Sequence, residues 1–150
     1  MTMRILVATD AWHPQVNGVV HTYQSLIPEL LKLDIELRFL TPLDFRSLPM
    51  PGYPGIRLAL ARKSAALRRL DYGDADAVHI ATEGPIGWAM RGACIERRIR
   101  FTTGFHTRFP EYIAARAPVP LGLTYAIMRQ FHNAGCGIMV PTPSIVNTLV

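Results

Sequence analysis

Short apolar runs alternate with amphipathic segments along the whole chain, and this alternation limits the possible folds more than any other feature. The apolar runs lack strict polar–apolar alternation, which is typical of strands buried on both faces of a parallel sheet. Strands are predicted near residues 3–9, 35–40, 56–59, 76–81, 100–104 and 136–140. Helices are predicted near 17–32, 62–71, 85–98, 120–133 and from 143 onward. The pattern predicts an α/β fold, a three-layer, doubly wound parallel sheet.

A doubly wound sheet with the order 3-2-1-4-5, counting the predicted strands along the chain, places the first and fourth strands side by side. The proline-rich residues 42–55 are predicted to be a loop before the third strand. The first helix carries an apolar stripe, and Pro28 inside it is expected to kink or interrupt it. The stripe consists of Val19, Val20, Tyr23, Leu26, Ile27, Leu30 and Leu31.

Unusual residue clusters follow the first, fourth and fifth predicted strands, at 10–18, 81–84 and 104–109. These loops are expected to line one crevice, because open α/β sheets bind ligands at the carboxyl ends of their strands. In the first cluster, Asn17 and Gly18 at the start of a helix can present backbone N–H groups to an anion, although Asn-Gly is also a common turn.

Polar side chains in these loops suit chemistry on hydroxyl or charged groups. His106 can hydrogen-bond a hydroxyl or transfer a proton near neutral pH, or it can simply be satisfied within a turn. Glu83 can accept hydrogen bonds from a hydroxyl, or it can stabilise the helix N-terminus that follows it. Arg108 can hold an anionic group, or it can pair with Glu111 at i, i+3.

The remaining histidines divide between the crevice and ordinary structural positions. His13 is predicted to form one wall of the crevice together with Trp12, which can equally be a packing residue. His79 lies within a predicted strand and is expected in the core, whereas His21 is expected on the surface. No metal site is expected, because the histidines are scattered and neither H-x₃-H nor C-x₂-C spacing occurs.

Composition narrows the classes of partner. The 150 residues suit one domain, with a net charge of +5 and a pI near 9.7. This balance permits phosphorylated substrates or anionic lipid, but the aromatic–basic interleaving of a nucleic-acid platform is missing, so nucleic acid is not expected. A cytoplasmic protein is expected, since no spanning segment or secretory leader is evident. Cys94 and Cys136 are interpreted as reduced core thiols.

One segment concentrates basic residues between apolar ones. It is either an amphipathic helix lying on a membrane surface or, as we favour, a helix with a solvated charged face. Its basic residues are Arg62, Lys63, Arg68 and Arg69. At the other end of the chain, Pro141–Ser144 begins a helix that stops at Val150 without a cap, so the chain is expected to be part of a longer protein.

Five motifs, in this order and spacing, resemble one group of enzymes. They are Thr9–Val20, His79–Pro85, Phe105–Tyr112, Phe131–Asn133 and Pro141–Ser144. Together they resemble the N-terminal domain of the retaining glycosyltransferases of family 4, in the mannosyltransferase- and sulfoquinovosyltransferase-like branch. The resemblance covers essentially the whole chain. It implies the GT-B architecture, in which two Rossmann-like domains face a deep cleft.

The resemblance implies transfer of a hexose, with retention, from a nucleotide-sugar such as GDP-mannose or a UDP-hexose to a lipid or other hydroxyl acceptor. It implies no bound metal or other cofactor. The C-terminal domain of such enzymes holds most of the nucleotide-sugar, so these residues alone are expected to be inactive. By motif match, the catalytic His106 lies near the transferred sugar, and Asn17 and Gly18 lie near the donor pyrophosphate. The acceptor-side residues are His13, Glu83, Arg108 and Tyr112.

Two other classes of function remain alternatives at this point. The chain can be a stand-alone module that binds a sugar-phosphate, or a membrane surface through its basic helix. A different Rossmann enzyme, such as a dehydrogenase, is less favoured because the G-x-G-x-x-G fingerprint is missing. A Ser–His–Asp hydrolase is also disfavoured, since there is no G-x-S-x-G elbow.

Overall fold

The computed structural model describes residues 1–51, 53–106, 111, 114–115 and 117–149, without the side chains of 53–56, 148 and 149. Strands and helices alternate through most of this range, as the sequence predicts. The strands are β1 Met3–Ala8, β2 Ile35–Leu40, β3 Ser47–Met50, β4 Tyr53–Ala59, β5 Ala77–Ile80, β6 Phe101–Gly104 and β7 Gly137–Met139. The helices are α1 Gly18–Leu31, α2 Lys63–Asp71, α3 Pro85–Arg97, α4 Leu121–His132 and α5 Pro143–Leu149.

The central sheet has the order β2-β1-β5-β6-β7, and its strand pairs are all parallel. The predicted α/β fold is therefore confirmed, and so is the adjacency of the first and fourth predicted strands. Ile5 lies opposite Ala77, and Ala8 lies opposite Ile80. From β1 the chain adds β2 on one side, and the later strands β5, β6 and β7 are added on the other side. The carboxyl ends of β1 and β5 are therefore the topological switch point.

The predicted third strand does not join this sheet, so the order 3-2-1-4-5 is wrong. Residues 53–59 instead pair with β3 in a separate antiparallel ribbon, with Ser47 opposite Ala59 and Leu48 opposite Leu58. A parallel neighbour for β2 would need a crossover of a dozen or more residues, usually a helix. The segment after β2 contains prolines and a short 3₁₀ turn, Pro42–Asp44, which Thr41 caps, and so it supplies no such helix.

The sheet separates two apolar layers, because successive strand residues face opposite sides. Leu6 and Ile80 lie on the side covered by α2 and α3, with Met90 packed on them. Val7 lies on the other side, against Tyr23 of α1. Both layers lie beneath the switch point and hold the loop ends in place.

Only the first part of the predicted α1 stripe is buried. Val19, Val20 and Tyr23 are buried, whereas Leu26 is 40% and Leu31 54% exposed. The helix continues through Pro28, so the predicted interruption does not occur.

The two cysteines differ in environment. Cys94 is fully buried in α3, and burial raises the pKa of its thiol to about 12. Cys136 is exposed, so its predicted core position is wrong. It precedes β7, whose residues are all exposed at the edge of the sheet.

Among the helices of the described residues, none has the length and apolar character that crossing a bilayer requires.

Candidate active site

Asp10, which follows β1, joins the first and fourth loops of the switch point. Its carboxylate accepts hydrogen bonds from the Thr82 hydroxyl at 2.7 Å, the Ile86 amide at 2.7 Å and the Gly87 amide at 3.2 Å. Its own amide donates to the Thr82 hydroxyl at 2.7 Å. Burial raises the pKa of Asp10, and the hydrogen bonds from Thr82 and the amides oppose that rise. Asp10 thus satisfies the N-terminus of α3 from a different loop.

Two glycines make this arrangement possible. A Cβ on Gly84 would lie 2.4 Å from Cγ of Asp10, and a Cβ on Gly87 would lie 1.9 Å from the carbonyl oxygen of Thr82. Any larger residue at either position would push the first turn of α3 away from Asp10. The helix N-terminus after Glu83 is therefore filled internally by a carboxylate and is not a free anion site.

The N-terminus of α1 has a different environment. Oδ1 of Asn17 accepts hydrogen bonds from the amides of Val19 at 3.0 Å and Val20 at 3.1 Å. Asn17 is therefore the N-cap of α1, and two of the amides expected to face an anion are already satisfied. Gly18 is exposed, and a Cβ built on it would meet nothing within 4 Å. The first turn of α1 has no acidic residue, so its positive dipole end stays uncompensated by charge.

His106 lies just beyond β6 and is half-buried. Its ring centroid lies 6.2 Å from that of Tyr23 in an edge-on arrangement. Its Nε2 is buried and makes no hydrogen bond within the described part of the chain. A Cβ on Gly104 would lie 2.6 Å from this nitrogen, so the glycine leaves room for the imidazole to fold back over the end of β6.

The protonation state of His106 follows from its surroundings. Burial lowers its pKa below the ordinary histidine value, while the negative charge of Glu83 acts in the opposite direction. The imidazole is therefore neutral at physiological pH. It has one N–H donor and one acceptor nitrogen, which suits hydrogen bonding to a neutral hydroxyl.

Glu83 is bound to a residue that was not among the predicted site residues. Its Oε1 lies 3.1 Å from Nε2 of His132, the last residue of α4. Nδ1 of His132 lies 2.8 Å from Oγ1 of Thr103 in β6. Thr103 and His132 are 0% and 7% exposed, and the Glu83 side chain is 10% exposed. The loop after β5, strand β6 and the end of α4 are thereby joined by buried polar contacts.

His79 is in the core of β5, as predicted. It is 6% exposed, and its Nδ1 lies 2.8 Å from Oγ1 of Thr102. Burial, followed by the nearby His106, lowers the pKa of His79 to about 4. In the unfolded chain, His79 should therefore bind a proton below about pH 6.5. In the folded chain, it should stay neutral until the pH falls to about 4.

This difference predicts acid destabilisation of the domain. The stabilising effect of the buried neutral His79 is fully present above about pH 6.5 and should be lost as the pH falls toward 4. The resulting decrease in the free energy of unfolding should be on the order of 2 kcal/mol at pH 4.5. Urea unfolding at several pH values measures it. His79→Asn should flatten the dependence of unfolding free energy on pH in this window, whereas His21→Asn, on the exposed face of α1, should not. Equal slopes for wild type and His79→Asn would contradict the assignment.

The predicted aromatic wall lies beside the β3–β4 ribbon. Trp12 stacks on Phe39 with a centroid distance of 4.4 Å, and Nε2 of the exposed His13 lies 2.9 Å from Nε2 of Gln24. Trp12, His13 and Arg57 are among the residues that line a depression of about 190 Å³. The guanidinium of Arg57 donates to Oγ of Ser47 at 2.7 Å and to its carbonyl oxygen at 2.8 Å. This depression has room for a small polar ligand.

Two acceptor-side predictions cannot be placed. Arg108 and Tyr112 lie outside the described residues, and so does the suggested pairing of Arg108 with Glu111. Glu111 itself accepts a hydrogen bond from the Tyr125 hydroxyl at 2.5 Å. Within the described ranges, no three His, Cys, Asp or Glu side chains converge as a metal site would need.

The basic helix α2 is partly neutralised by neighbouring carboxylates. Lys63 pairs with Glu96 at 2.6 Å, and Arg69 pairs with Asp74 at 2.7 Å. The apolar face of α2 packs on the core through Ala66. Arg62 and Arg68 remain exposed. Contact with a membrane surface stays a prediction, and these two side chains would have to carry most of it.

Comparison with known proteins agrees with the α/β fold. A search of curated proteins finds no match. A family model described as Glycosyltransferase Family 4 matches residues 16–150. The match leaves out β1 and the beginning of the loop that follows it, and it includes α1 and all the later strands and helices. The chain therefore belongs to glycosyltransferase family 4, and its Rossmann-like α/β domain is consistent with the N-terminal half of a GT-B enzyme.

Proposed function

We propose that this chain is the acceptor-side domain of a retaining hexosyltransferase, and that a second domain supplies most of the nucleotide-sugar contacts. The donor is a nucleotide-sugar such as GDP-mannose or a UDP-hexose, and the acceptor is a hydroxyl of a lipid or another molecule. One observation carries the proposal. In a chain of glycosyltransferase family 4, the buried Nε2 of His106 lacks a hydrogen-bond partner among the described residues, at the sheet edge where such folds bind ligands.

The donor pyrophosphate is assigned to the first turn of α1. Asp10 already occupies the N-terminus of α3, whereas Gly18 at the start of α1 borders open space. A backbone amide at a helix N-terminus, with no acidic residue in the first turn, favours a phosphate group. Asn17 supports this role indirectly, because it fixes the first turn through the amides of Val19 and Val20.

The transferred sugar and the acceptor are assigned to the other two loops. The neutral imidazole of His106 is suited to hydrogen-bond a sugar hydroxyl through Nε2. Glu83 is suited to accept a hydrogen bond from the attacking hydroxyl of the acceptor. His13, Arg108 and Tyr112 are proposed to complete the acceptor side, and the depression beside Trp12 and His13 supports the first of these.

The proposed reaction breaks the bond between C1 of the hexose and the oxygen of the diphosphate. The acceptor oxygen forms a new bond to C1 on the same face of the sugar, and its proton is transferred to the departing diphosphate. The negative charge that develops on the leaving group would be stabilised by the N-terminus of α1. The same dipole acts less on the intact donor, so this interaction lowers the barrier.

Gly18→Ala tests the donor site. Since a Cβ at this position meets nothing within 4 Å, the free energy of unfolding should change by less than about 1 kcal/mol and should increase if it changes. In an enzyme that joins this domain to its nucleotide-binding partner domain, the same Cβ would face the pyrophosphate. The Kd for GDP-mannose or UDP-glucose, measured calorimetrically, should rise by about tenfold or more.

Gly122→Ala is the matched control. Gly122 also lies in the first turn of a helix, α4, and a Cβ there also meets nothing within 4 Å. It should resemble Gly18→Ala in stability and wild type in donor affinity. Equal donor affinity for both variants would remove Gly18 from the donor site.

A further inference from the structure

The polar chain Thr103–His132–Glu83 has a defined direction. Ionised Glu83 can only accept a hydrogen bond, so Nε2 of His132, at 3.1 Å from its Oε1, must carry the proton. Thr103 is completely buried, and its hydroxyl lies 2.8 Å from Nδ1 of His132. In the neutral imidazole that carries its proton on Nε2, Nδ1 is the acceptor, so the Thr103 hydroxyl donates to Nδ1 and Nε2–H donates to Glu83. One neutral tautomer of His132 satisfies both contacts.

The backbone that carries His132 is also held firmly. Arg91 of α3 donates from Nε to the carbonyl oxygen of Phe131 at 3.1 Å and from Nη2 to that of Gln130 at 2.9 Å. Phe131 is completely buried and packs edge-on against Trp88 with a centroid distance of 5.0 Å. The imidazole of His132 thus projects from a fixed helix end toward the loop after β5, which Asp10 also holds through its two hydrogen bonds with Thr82.

This arrangement is not needed for stability alone. A buried pair of polar groups loses hydration, and a well-packed apolar pair is often equally stable or more stable. The hydrogen-bonded series Thr103–His132–Glu83 instead fixes the orientation of the Glu83 carboxylate, whose Oε2 makes no hydrogen bond to the described residues. The negative charge of Glu83 also acts on His106, which places the carboxylate within electrostatic reach of the proposed sugar site.

We propose that His132 is a positioning residue for glycosyl transfer, held in one tautomer by Thr103, and that it binds Oε1 of Glu83 so that Oε2 is presented to the acceptor hydroxyl. The proposal rests on the proposed function, since it assigns Glu83 to the acceptor. It separates two roles within the crevice. His106 contacts the sugar, while His132 acts only through Glu83.

Thr103→Val tests this role without altering Glu83 or His132. Valine has nearly the shape of threonine and suits a strand, so the domain should fold. Thr102→Val is a matched control, because Thr102 is the neighbouring residue of β6 and makes a hydrogen bond of the same 2.8 Å length to His79 instead. Thr103→Ser restores the hydroxyl and should restore the function.

The first measurement is kinetic and uses the two-domain enzyme with GDP-mannose and UDP-glucose as donors, and with diacylglycerol micelles and octyl glucoside as acceptors. Thr103→Val should lower kcat for transfer by about tenfold or more, because a misplaced reacting group is costly. Hydrolysis of the donor by water and the KM for donor should stay within about twofold of wild type, since neither uses Glu83. Thr103→Ser should recover most of the rate.

Two kinetic outcomes would overturn the proposal. One is a transfer rate for Thr103→Val equal to that of Thr102→Val, and the other is an equal loss of transfer and donor hydrolysis. If wild type consumes neither donor, the proposed function itself fails. A second measurement then still decides the structural part of the inference.

That second measurement is the imidazole ¹⁵N spectrum of the 150-residue chain. Wild type and Thr102→Val should show His132 as a single tautomer protonated at Nε2, and Thr103→Val should show a mixture. An unchanged His132 signal in Thr103→Val would overturn the role of Thr103, and with it the positioning role.

Discussion

His106→Ala should lower the turnover of the two-domain enzyme by about 100-fold or more, the range expected when a positioned hydrogen-bonding or proton-transferring group is removed. The folded domain should tolerate the change. The imidazole is half-buried, and its buried Nε2 forms no hydrogen bond with the described residues, so little native interaction is lost. The unfolding free energy should therefore change by less than about 1 kcal/mol.

The control for this prediction is His21→Ala. His21 is exposed on α1, the helix that contributes Tyr23 to the contact with His106. It should leave both turnover and stability near wild type. Unchanged turnover in His106→Ala, or a fall in turnover matched by a large loss of stability, would remove His106 from the mechanism.

Asp10→Ala should destabilise the domain by about 3 kcal/mol, the largest effect on stability that we expect from a single polar side chain here. The substitution leaves the amides of Ile86 and Gly87 and the hydroxyl of Thr82 without their acceptor. It also releases the link between the loops after β1 and β5. Urea denaturation of the 150-residue chain measures the loss.

Asn17→Ala is the comparison, because Asn17 also caps a helix but does so locally. Its two amides belong to the next turn of its own helix and can be hydrated when the side chain is removed, so a cost of about 1 kcal/mol is expected. If Asp10→Ala cost no more than Asn17→Ala, then the cross-loop role of Asp10 would be wrong.

The convergence of the loops that form the candidate site was predictable from the sequence because it depends on topology. Once β1 and β5 are neighbours in a parallel sheet, the residues after each strand must meet at one edge. Glu83 and His106 follow directly from that rule. The sheet order beyond this pair was not predictable in the same way, because the predicted strand at 56–59 could join either the main sheet or a local ribbon, and its partner β3 lies within residues predicted to be a loop.

Asp10 and His132 were missed because their partners are distant in sequence. Asp10 binds residues 72 to 77 positions away, and Glu83 lies 49 positions from His132. A signal existed for each. The helix that begins at Pro85 has Gly84 as its N-cap and so needs an acceptor from elsewhere. His132 follows Phe131 at the buried end of an amphipathic helix, where a polar side chain needs a partner.

The most direct test of the central claim is the stereochemistry of transfer. The two-domain enzyme is incubated with GDP-mannose or UDP-glucose and a hydroxyl acceptor, and the anomeric proton of the first product is followed by NMR. We expect a glycoside with the same anomeric configuration as the donor, and no product from the 150-residue chain alone, since one domain of the proposed two-domain cleft would not enclose the donor. A product of inverted configuration, or no transfer from any nucleotide-sugar, would contradict the account.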